Sequence, residues 1–566
     1  PNRVPNQVPA DCPATWLRPG VHRGCPSSER VESVLSLSVS QVASDFAAAL
    51  VTRGLAAPGA LAFTFGAERM TRGELLDQAG RLAAGLRGRG VEPGDRVALV
   101  LPAGLDFVRG FAAVALAGAV PFAISPEIAP SVARRRALRG RPRLLLTSAT
   151  RLAALAGGLD PSELPLAAIE ELPRPAGATP APPVVDPEAP AVMQLTSGTT
   201  GEPRLAVLSH RALAAWRRQA VGFLLPGAGD VLAGWVPPWH VTGLVRFVIL
   251  PVVCGVEAHL VPPTARALGD WLETAARVRA TFSSAPDFAL RTAVRMVGDR
   301  TLDLGSLRCL VTGGEQIRLS TLRAFEQRFD LPGIVRPSYG LSEATLAVTC
   351  VRPGEPLSID RTGNVACGPP LPGVELRIVD ARGGEGPPGA PGEIQVRGDN
   401  LFSGYFDGAP GDTRATDDGW LATGDWGRLG PAGELFVLGR RRNLLKHGGA
   451  SYAPRELEEA AESVAEVGAA AAICLARDAQ PGAVLVVVVE AADPAAGAAD
   501  AIAWGVANAV RREVGLPLGE VLVVLPGTLP RTDSGKLRHA ELRRALAAGE
   551  LAPERVLAGR ADGWSE

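Results

Sequence analysis

The stretch "MQLTSGTTGEPRLAVLSHRAL", Met193–Leu213, gathers four hydroxyl residues and two glycines into one loop and sets Arg204 just beyond them. An ordinary turn needs no more than a glycine and an Asn or Asp. Here Thr196, Ser197, Thr199 and Thr200 surround Gly198 and Gly201, so hydroxyls and backbone N–H groups are concentrated in one place. Such groups can wrap the oxygens of a phosphate, and a nearby arginine adds charge. The Walker loop with its Gly-Lys-Ser/Thr ending is absent, and so is GxGxxG. On composition alone the loop reads either as a polyanion cradle or as a flexible connection.

The rest of the chain narrows the choice. In 566 residues, 46% hydrophobic and 21% charged, there is apolar surface for a large core divided among several domains. Lys plus Arg number 58 against 59 Asp plus Glu, so no overall field draws in nucleic acid or an anionic membrane. An anion site therefore has to be local. The seven cysteines, Cys12, Cys25, Cys254, Cys309, Cys350, Cys367 and Cys474, are scattered without CxxC spacing. That argues against a disulfide framework or a zinc site and for a reducing, cytoplasmic setting. The run "FVILPVVCGVEAHLV" is broken by proline and turns polar, so no membrane insertion is expected, and no signal-peptide pattern is read at the start.

Residues 1–40 lack periodicity and are expected to be a disordered extension. Beyond them helices alternate with short apolar strands. "TRGELLDQAGRLAAGLRGRG" has Thr71 and Glu74 in capping-box spacing, with Leu75, Leu76, Ala79, Leu82, Ala83 and Leu86 on one helical face and Gly90 as a stop. "RVALVLP", "AVPFAI" and "RLLLT" read as buried strands, and the alternation implies mainly parallel sheets covered on both faces. After Pro370, "VELRIVD" and "GEIQVRG", joined by "ARGGEGPPGAP", predict an antiparallel, barrel-like part over about 370–439. The basic run "GRRRN" then precedes the helix start "YAPRELEEAAESV" and the strand "AVLVVVVE". The expected fold is α/β. A large multi-layer N-terminal domain over 41–439 holds two αβαβα-type subdomains and the small β-barrel. A hinge at 440–443 leads to a small, mobile α+β C-terminal domain over 444–566.

The order of residues in the opening loop goes further than its composition. "LTSGTTGEPR" resembles the phosphate loop of the adenylate-forming superfamily, which includes acyl- and aryl-CoA synthetases, fatty acyl-AMP ligases, adenylation domains of peptide synthetases and firefly-type luciferases. The family's other segments follow in order: "VPPWHVTGL", "VTGGEQI", "SYGLSEATLAVT", "ATGDWG", "GRRRNLLKHGGASYAPRELE" and "LPRTDSGKLRH". The resemblance covers roughly residues 45–545. Within it, "YGLSEATLAVT" and "ACGPPLPGVELRIVD" are most similar to fatty acyl-AMP ligases, while "PPWHVTGL" is more like a CoA ligase.

The resemblance implies an ATP-dependent, Mg²⁺-requiring enzyme that joins a small carboxylic acid to AMP with release of pyrophosphate. Little covalent chemistry falls to the protein in such a step, which needs positioning and neutralisation of negative charge. By resemblance, Thr196, Ser197, Gly198, Thr199, Thr200 and Gly201, with Arg204, hold the β- and γ-phosphates; Glu343 supports Mg²⁺; and Lys536 reaches the carboxylate oxygen and the α-phosphate. Asp425 and Arg440 are expected at the ribose, Tyr339 against adenine, Gly314 and Glu315 along the purine edge, and Ser338, Gly340 and Ser342 among the ATP- or AMP-binding residues. His240 lines the approach of the carboxylate. The expected acyl pocket is Trp239, Thr242, Gly243, Phe247, Ser284 and Gly313, apolar or small, with no basic residue for a second carboxylate; a monocarboxylic aliphatic or aromatic acid is the expectation.

Three departures stand out. Arg204 occupies a place where lysine is usual, Asn443 takes the hinge position, and Ala450 and Ser451 follow Gly448 and Gly449, the glycines expected to line a pantetheine tunnel. An acyl or peptidyl carrier protein bearing phosphopantetheine is the favoured acceptor, with CoA, a small amine or hydroxyl, or a weakly catalytic ligand-binding homologue as alternatives.

Overall fold

Residues 45–157, 164–173, 182–196, 203–224, 229–262, 267–361, 363–380, 382–406, 415–416, 418–447, 450–476, 483–493, 499–531, 537–551 and 556–561 are described by a computed structural model of the chain. Ala43–Glu566 forms one compact unit.

Local sequence rules operate as expected in the first long helix, Arg72–Gly88. Thr71 Oγ1 accepts from the amide of Glu74 at 3.2 Å, and Glu74 Oε2 accepts from the amide of Thr71 at 2.8 Å. This reciprocal cap, worth about 1 kcal/mol, fixes the register that buries Leu75, Leu76, Ala79, Leu82, Ala83 and Leu86. The strand Arg96–Val100 shows the second rule, the period of two. Val97 and Leu99 face one apolar core while Ala98 and Val100 face another, so both sides of the strand are covered.

Two large sheets result. The seven-stranded sheet runs, in spatial order, Gly404–Tyr405, Leu205–Ser209, Pro190–Leu195, Val120–Ala123, Arg96–Val100, Leu144–Thr147 and Leu166–Ala168. Its last five strands are parallel, and the first two pair antiparallel. The eight-stranded sheet runs Thr349–Cys350, Val335–Tyr339, Cys309–Gly313, Phe282–Ser284, Val231–Gly234, Glu257–Leu260, Leu61–Phe65 and Glu68–Thr71. It is parallel except at its two edges. Helices Arg72–Gly88 and Leu105–Leu116 lie between the sheets: both touch Leu61–Phe65, and the second also touches Arg96–Val100 and Val120–Ala123. The two halves share this helical layer and one continuous core.

The antiparallel part predicted over about 370–439 is a four-stranded sheet, Val374–Val379, Gly392–Gly398, Leu421–Leu429 and Leu435–Arg440 in that order. Beyond it the apolar core breaks between Leu435 and Leu445. A second four-stranded sheet, Val467–Ala476, Ala483–Ala491, Glu520–Val524 and Val556–Ala561, then forms around Val486 and Val488 on one face and Val487 and Val489 on the other. The helix Pro454–Glu462 packs on that sheet and also reaches the larger part of the chain. There Arg455 donates to the carbonyl of Ile317, and Glu462 pairs with Arg318 at 3.0 Å and Arg291 at 3.4 Å.

Candidate active site

Parallel sheets present ligands at the carboxyl ends of their strands. In the eight-stranded sheet those ends are Ser284, Gly313 and Tyr339. A cavity of about 970 Å³ opens there, lined among others by Thr196, Arg204, His240, Thr242, Ser284, Gly313, Gly314, Ser338, Gly340, Ser342, Glu343 and Arg440. Thr196 and Arg204 stand at the two ends of the hydroxyl loop, where the amide of Thr196 donates to the carbonyl of Arg204 at 2.8 Å. Ser197, Gly198, Thr199, Thr200 and Gly201, the tunnel glycines Gly448 and Gly449, and Lys536 lie outside the described residues.

Close backbone packing shapes the floor. A Cβ at Gly340 would stand 1.6 Å from the carbonyl oxygen of Leu346, so only glycine fits. The chain reaches that contact through Thr345 at φ 57° and Leu346 at φ 117°, both costly for residues with a Cβ. Strain of this kind collects at sites where geometry matters more than stability, and here it directs Glu343 into the cavity.

Two paired charge groups follow. In the first, Arg440 lies directly across the strand pair from Asp425. Its Nε is 2.8 Å from Asp425 Oδ1, and the Tyr339 hydroxyl donates to Oδ2 at 2.7 Å. Burial raises the pKa of Asp425, with Glu343 adding to the rise and Arg440 and Tyr339 opposing it. In the second, the Tyr405 hydroxyl donates to Glu343 Oε1 at 2.6 Å, and the Arg204 guanidinium lies over the Tyr405 ring, 3.5 Å from its centroid. Arg204 and Glu343 thereby share a tyrosine. Arg441 reaches Glu393 at 3.3 Å, and the amide of Gly424 donates to the same carboxylate at 3.0 Å.

The residues assembled here come from segments that recur in known proteins. Residues 52–406 match the AMP-binding enzyme family. The chain is 32% identical over 515 residues to the 4-hydroxyphenylalkanoate adenylyltransferase of Mycobacterium tuberculosis, covering 79% of this chain and 81% of that one. It is 30% identical over 543 residues to the long-chain-fatty-acid–AMP ligase FadD26 of Mycobacterium marinum, covering 84% and 91%. The chain belongs to the AMP-binding enzyme family. Its fold also matches a solved structure from work on the fatty acyl-adenylate ligases of E. coli and L. pneumophila, with a TM-score of 0.79 and 25% identity over 89% of this chain and 98% of that one. The protein is thus an AMP-forming ligase of the adenylate-forming superfamily, similar to fatty acyl-AMP ligases.

Several residues of this AMP-binding enzyme stand elsewhere than the sequence suggested. Tyr339 and Asp425 do not line the cavity; they are buried behind its wall, each holding the other. Glu315 does not line it either, because its carboxylate accepts from the Phe288 amide at 2.7 Å, at the start of the helix Asp287–Val297. Of the expected acyl pocket, Thr242, Ser284 and Gly313 line the cavity, but Trp239, Gly243 and Phe247 do not. Helical spacing explains the last two. Thr242 and residue 246 are four apart and share one face; Gly243 and Phe247 share the neighbouring face, turned to the sheet. There the Phe247 ring lies where a Cβ on Gly234 would be, and it borders a separate small void together with Gly243. Trp239 is part of the apolar core, its carbonyl accepting from Gln194 at 2.8 Å. Asn443 closes the short 3₁₀ turn Arg441–Asn443 and is half-buried.

Position 246 is an arginine, and it lines the cavity. This corrects the expectation of a pocket without a basic residue. Its one sequence signal is a charge inside the apolar run "GLVRFVIL". Tyr405 carried even less, since it sits in a two-residue strand with no motif around it.

Proposed function

We propose that this ligase activates a carboxylic acid as its acyl-adenylate and then passes the acyl group to a pantetheine thiol on a carrier protein. A carboxylate oxygen attacks the α-phosphorus of ATP; the bond to the bridging oxygen breaks and pyrophosphate leaves. In the second step the thiol sulfur, having lost its proton, attacks the acyl carbonyl and AMP departs. The observation that carries the reading is the Asp425–Arg440–Tyr339 group set beside the Glu343–Tyr405–Arg204 group at one strand-end cavity.

Each group has chemistry suited to one part of the nucleotide. Asp425 can exchange its hold on Tyr339 or Arg440 for the two hydroxyls of a ribose, and Arg440 can then turn to the α-phosphate. The hydroxyl loop 196–201 and Arg204 receive the β- and γ-phosphates. Glu343 fits Mg²⁺: it is a cavity-lining carboxylate, and among the described residues its Oε2 has no hydrogen-bond partner. Bound there, the ion would offset charge on the departing phosphates. His240 borders the approach of the carboxylate, and Lys536 brings its ammonium group to the carboxylate and α-phosphate from the C-terminal part. The core break between Leu435 and Leu445 supports a hinge at 440–443 about which that part turns between the two steps.

The carrier acceptor is favoured by the similarity to acyl-AMP ligases and by the sequence pair Gly448 and Gly449, since glycine without a Cβ suits the close passage of a thin pantetheine arm. The test is carboxylate-dependent ATP–pyrophosphate exchange across an acid panel, followed by discharge of the preformed adenylate to holo-carrier protein, CoA or a simple amine. Exchange with discharge to holo-carrier is the expected result. Discharge to the amine alone would overturn the thiol reading.

A further inference from the structure

We infer that Arg246 is an anion site in the acyl half of the cavity, and that the acid activated here carries a second carboxylate which Arg246 receives. The inference rests on the acid-activation reading of the same cavity and names the class of acid.

Three described arginines are more than nine-tenths buried: Arg246, Arg336 and Arg455. Two have partners. Arg336 donates to the carbonyl of Glu355 at 2.6 Å, and Arg455 donates to the carbonyl of Ile317 and pairs with Glu459. Arg246, 7% exposed, makes no hydrogen bond or ion pair among the described residues, and its Nε is fully enclosed with no acceptor. The side chain nevertheless borders the cavity. A guanidinium cannot shed its proton to escape such a place and has five donors to satisfy.

Among the described residues its surroundings offer no counter-charge. The titratable neighbours acting on Arg246 are the thiols of Cys350 and Cys309. Burial pushes the Cys309 thiol up to about 11 and the Cys350 thiol higher still, so both are neutral at physiological pH. Burial also lowers the pKa of Arg246 itself. The backbone adds to the case. Arg246 lies in the π-helical segment Val245–Ile249, inserted in an otherwise α-helical run, and such single-turn bulges gather at functional sites. Thr242 and Arg246 stand on the cavity side while Phe247 packs into the sheet.

A purely aliphatic tail would leave this guanidinium in a dry pocket with its donors unmet. A carboxylate at the distal end of the acid would meet two of them with parallel N–H···O bonds and cancel the charge. Thr242, which also lines the cavity, adds a hydroxyl beside this guanidinium's face of the helix.

The experiment uses the full chain. Straight-chain dicarboxylates of three to eight carbons, the matched monocarboxylates and the matched ω-hydroxy acids are compared by ATP–pyrophosphate exchange and by titration calorimetry with the wild type, Arg246→Met and Arg246→Lys. At its best length the dicarboxylate should exceed its monocarboxylate partner by roughly 10²-fold in kcat/KM. Arg246→Met should abolish that ratio, and Arg246→Lys should retain part of it. A wild type that favours monocarboxylates or ω-hydroxy acids overturns the inference, whatever the variants do. If no acid supports exchange, the activation reading fails, and calorimetry alone decides: dicarboxylate binding lost in Arg246→Met upholds the site, and absence of such binding overturns it. Should Arg246→Met fail to fold, the wild-type panel and Arg246→Lys still separate the two outcomes.

Discussion

On the nucleotide side of the cavity each described carboxylate has a partner of its own: Asp425 has Arg440 and Tyr339, Glu343 has Tyr405, and Glu393 has Arg441. On the acyl side Arg246 has none. The first arrangement holds its groups in place before any ligand arrives, as catalysis by positioned charge requires. The second stores an unmet interaction that a particular ligand can complete, as discrimination between ligands requires. One cavity thus combines a general half, suited to the nucleotide, with a selective half, suited to one class of acid.

If the nucleotide side supplies the chemistry, the largest effect should come from Lys536, the lysine proposed for the α-phosphate. Lys536→Ala is expected to reduce pyrophosphate exchange by roughly 10²-fold or more, the scale of losing about 3 kcal/mol of transition-state charge stabilisation. If Lys536 serves the first step alone, as proposed, transfer from preformed adenylate to a thiol should fall far less. Exchange at the wild-type rate would remove Lys536 from the site.

The next effect tests whether the paired groups bind as well as hold one another. Asp425→Asn should raise the KM for ATP about 10–30-fold, from the loss of about 1.5–2 kcal/mol of charge-assisted hydrogen bonding, and should weaken the preference over deoxy-ATP. Its cost to folding should be smaller than two severed contacts suggest. Asp425 has a raised pKa in the folded state, so the stability it contributes is present at low pH and lost as pH rises through that value. The variant's amide mimics the protonated carboxyl, so melting curves from pH 4 to 8 should lie closest at pH 4 and the wild type should lose stability relative to the variant as pH rises; a wild type that gains on the variant toward neutrality would refute the raised value.

How far the sequence anticipated these two halves follows from where each signal resides. Gly340, Glu343 and Arg440, which line the cavity, sit in segments whose order along the chain is itself the message, so they were legible together. The capping box at Thr71 and the double-faced strand at Arg96–Val100 were legible because their causes are local. The acyl side was not. Whether residue 242, 243, 246 or 247 faces a cavity depends on the phase of one helix, and the π-helical turn at Val245–Ile249 shifts that phase. Tyr405 was missed for a different reason: its partners Glu343 and Arg204 are distant in sequence and meet it only through a two-residue strand pairing. The roles of Tyr339 and Glu315 were displaced by contacts that composition does not announce, a phenol turned to Asp425 and a carboxylate capping a helix.

Tyr405 offers a finer test of the general half. Tyr405→Phe keeps the ring under Arg204 and removes only the hydroxyl that holds Glu343 Oε1. The loss of one hydrogen bond to a charged group, about 1.5 kcal/mol at the low end of the usual range, should lower kcat roughly 10-fold and raise the Mg²⁺ concentration needed for half-maximal rate. A variant with unchanged Mg²⁺ dependence would show that Glu343 is positioned without Tyr405.

The smallest effect on turnover is expected away from the cavity, in the C-terminal part that carries Lys536. There His539 Nε2 lies 2.6 Å from Glu458 Oε1, with the glutamate buried and the histidine half-buried. Burial opposes the charge on His539, but the charge and hydrogen bond of Glu458 outweigh it, and the histidine pKa is raised. Burial likewise opposes ionisation of Glu458, yet His539, with the amide of Ala472, holds its pKa below the usual range. The sign for the histidine is that of a raised value. The stability it supplies is complete below its unfolded pKa near 6.5 and is lost as pH rises through the folded one. The glutamate has the opposite sign, losing its contribution as pH falls through its depressed value. The pair therefore stabilises this part of the chain between those two limits. His539→Gln should cost about 1.5–3 kcal/mol near pH 6, the range for a hydrogen bond to a charged group, and progressively less as pH rises above the histidine's folded value. Exchange at saturating ATP should stay within about twofold of wild type, since this part need only present Lys536 and the pair lies outside the cavity lining. A stability difference that is flat from pH 6 to 9 would mean that His539 is neutral in the folded chain and that Glu458 is held by hydrogen bonding alone.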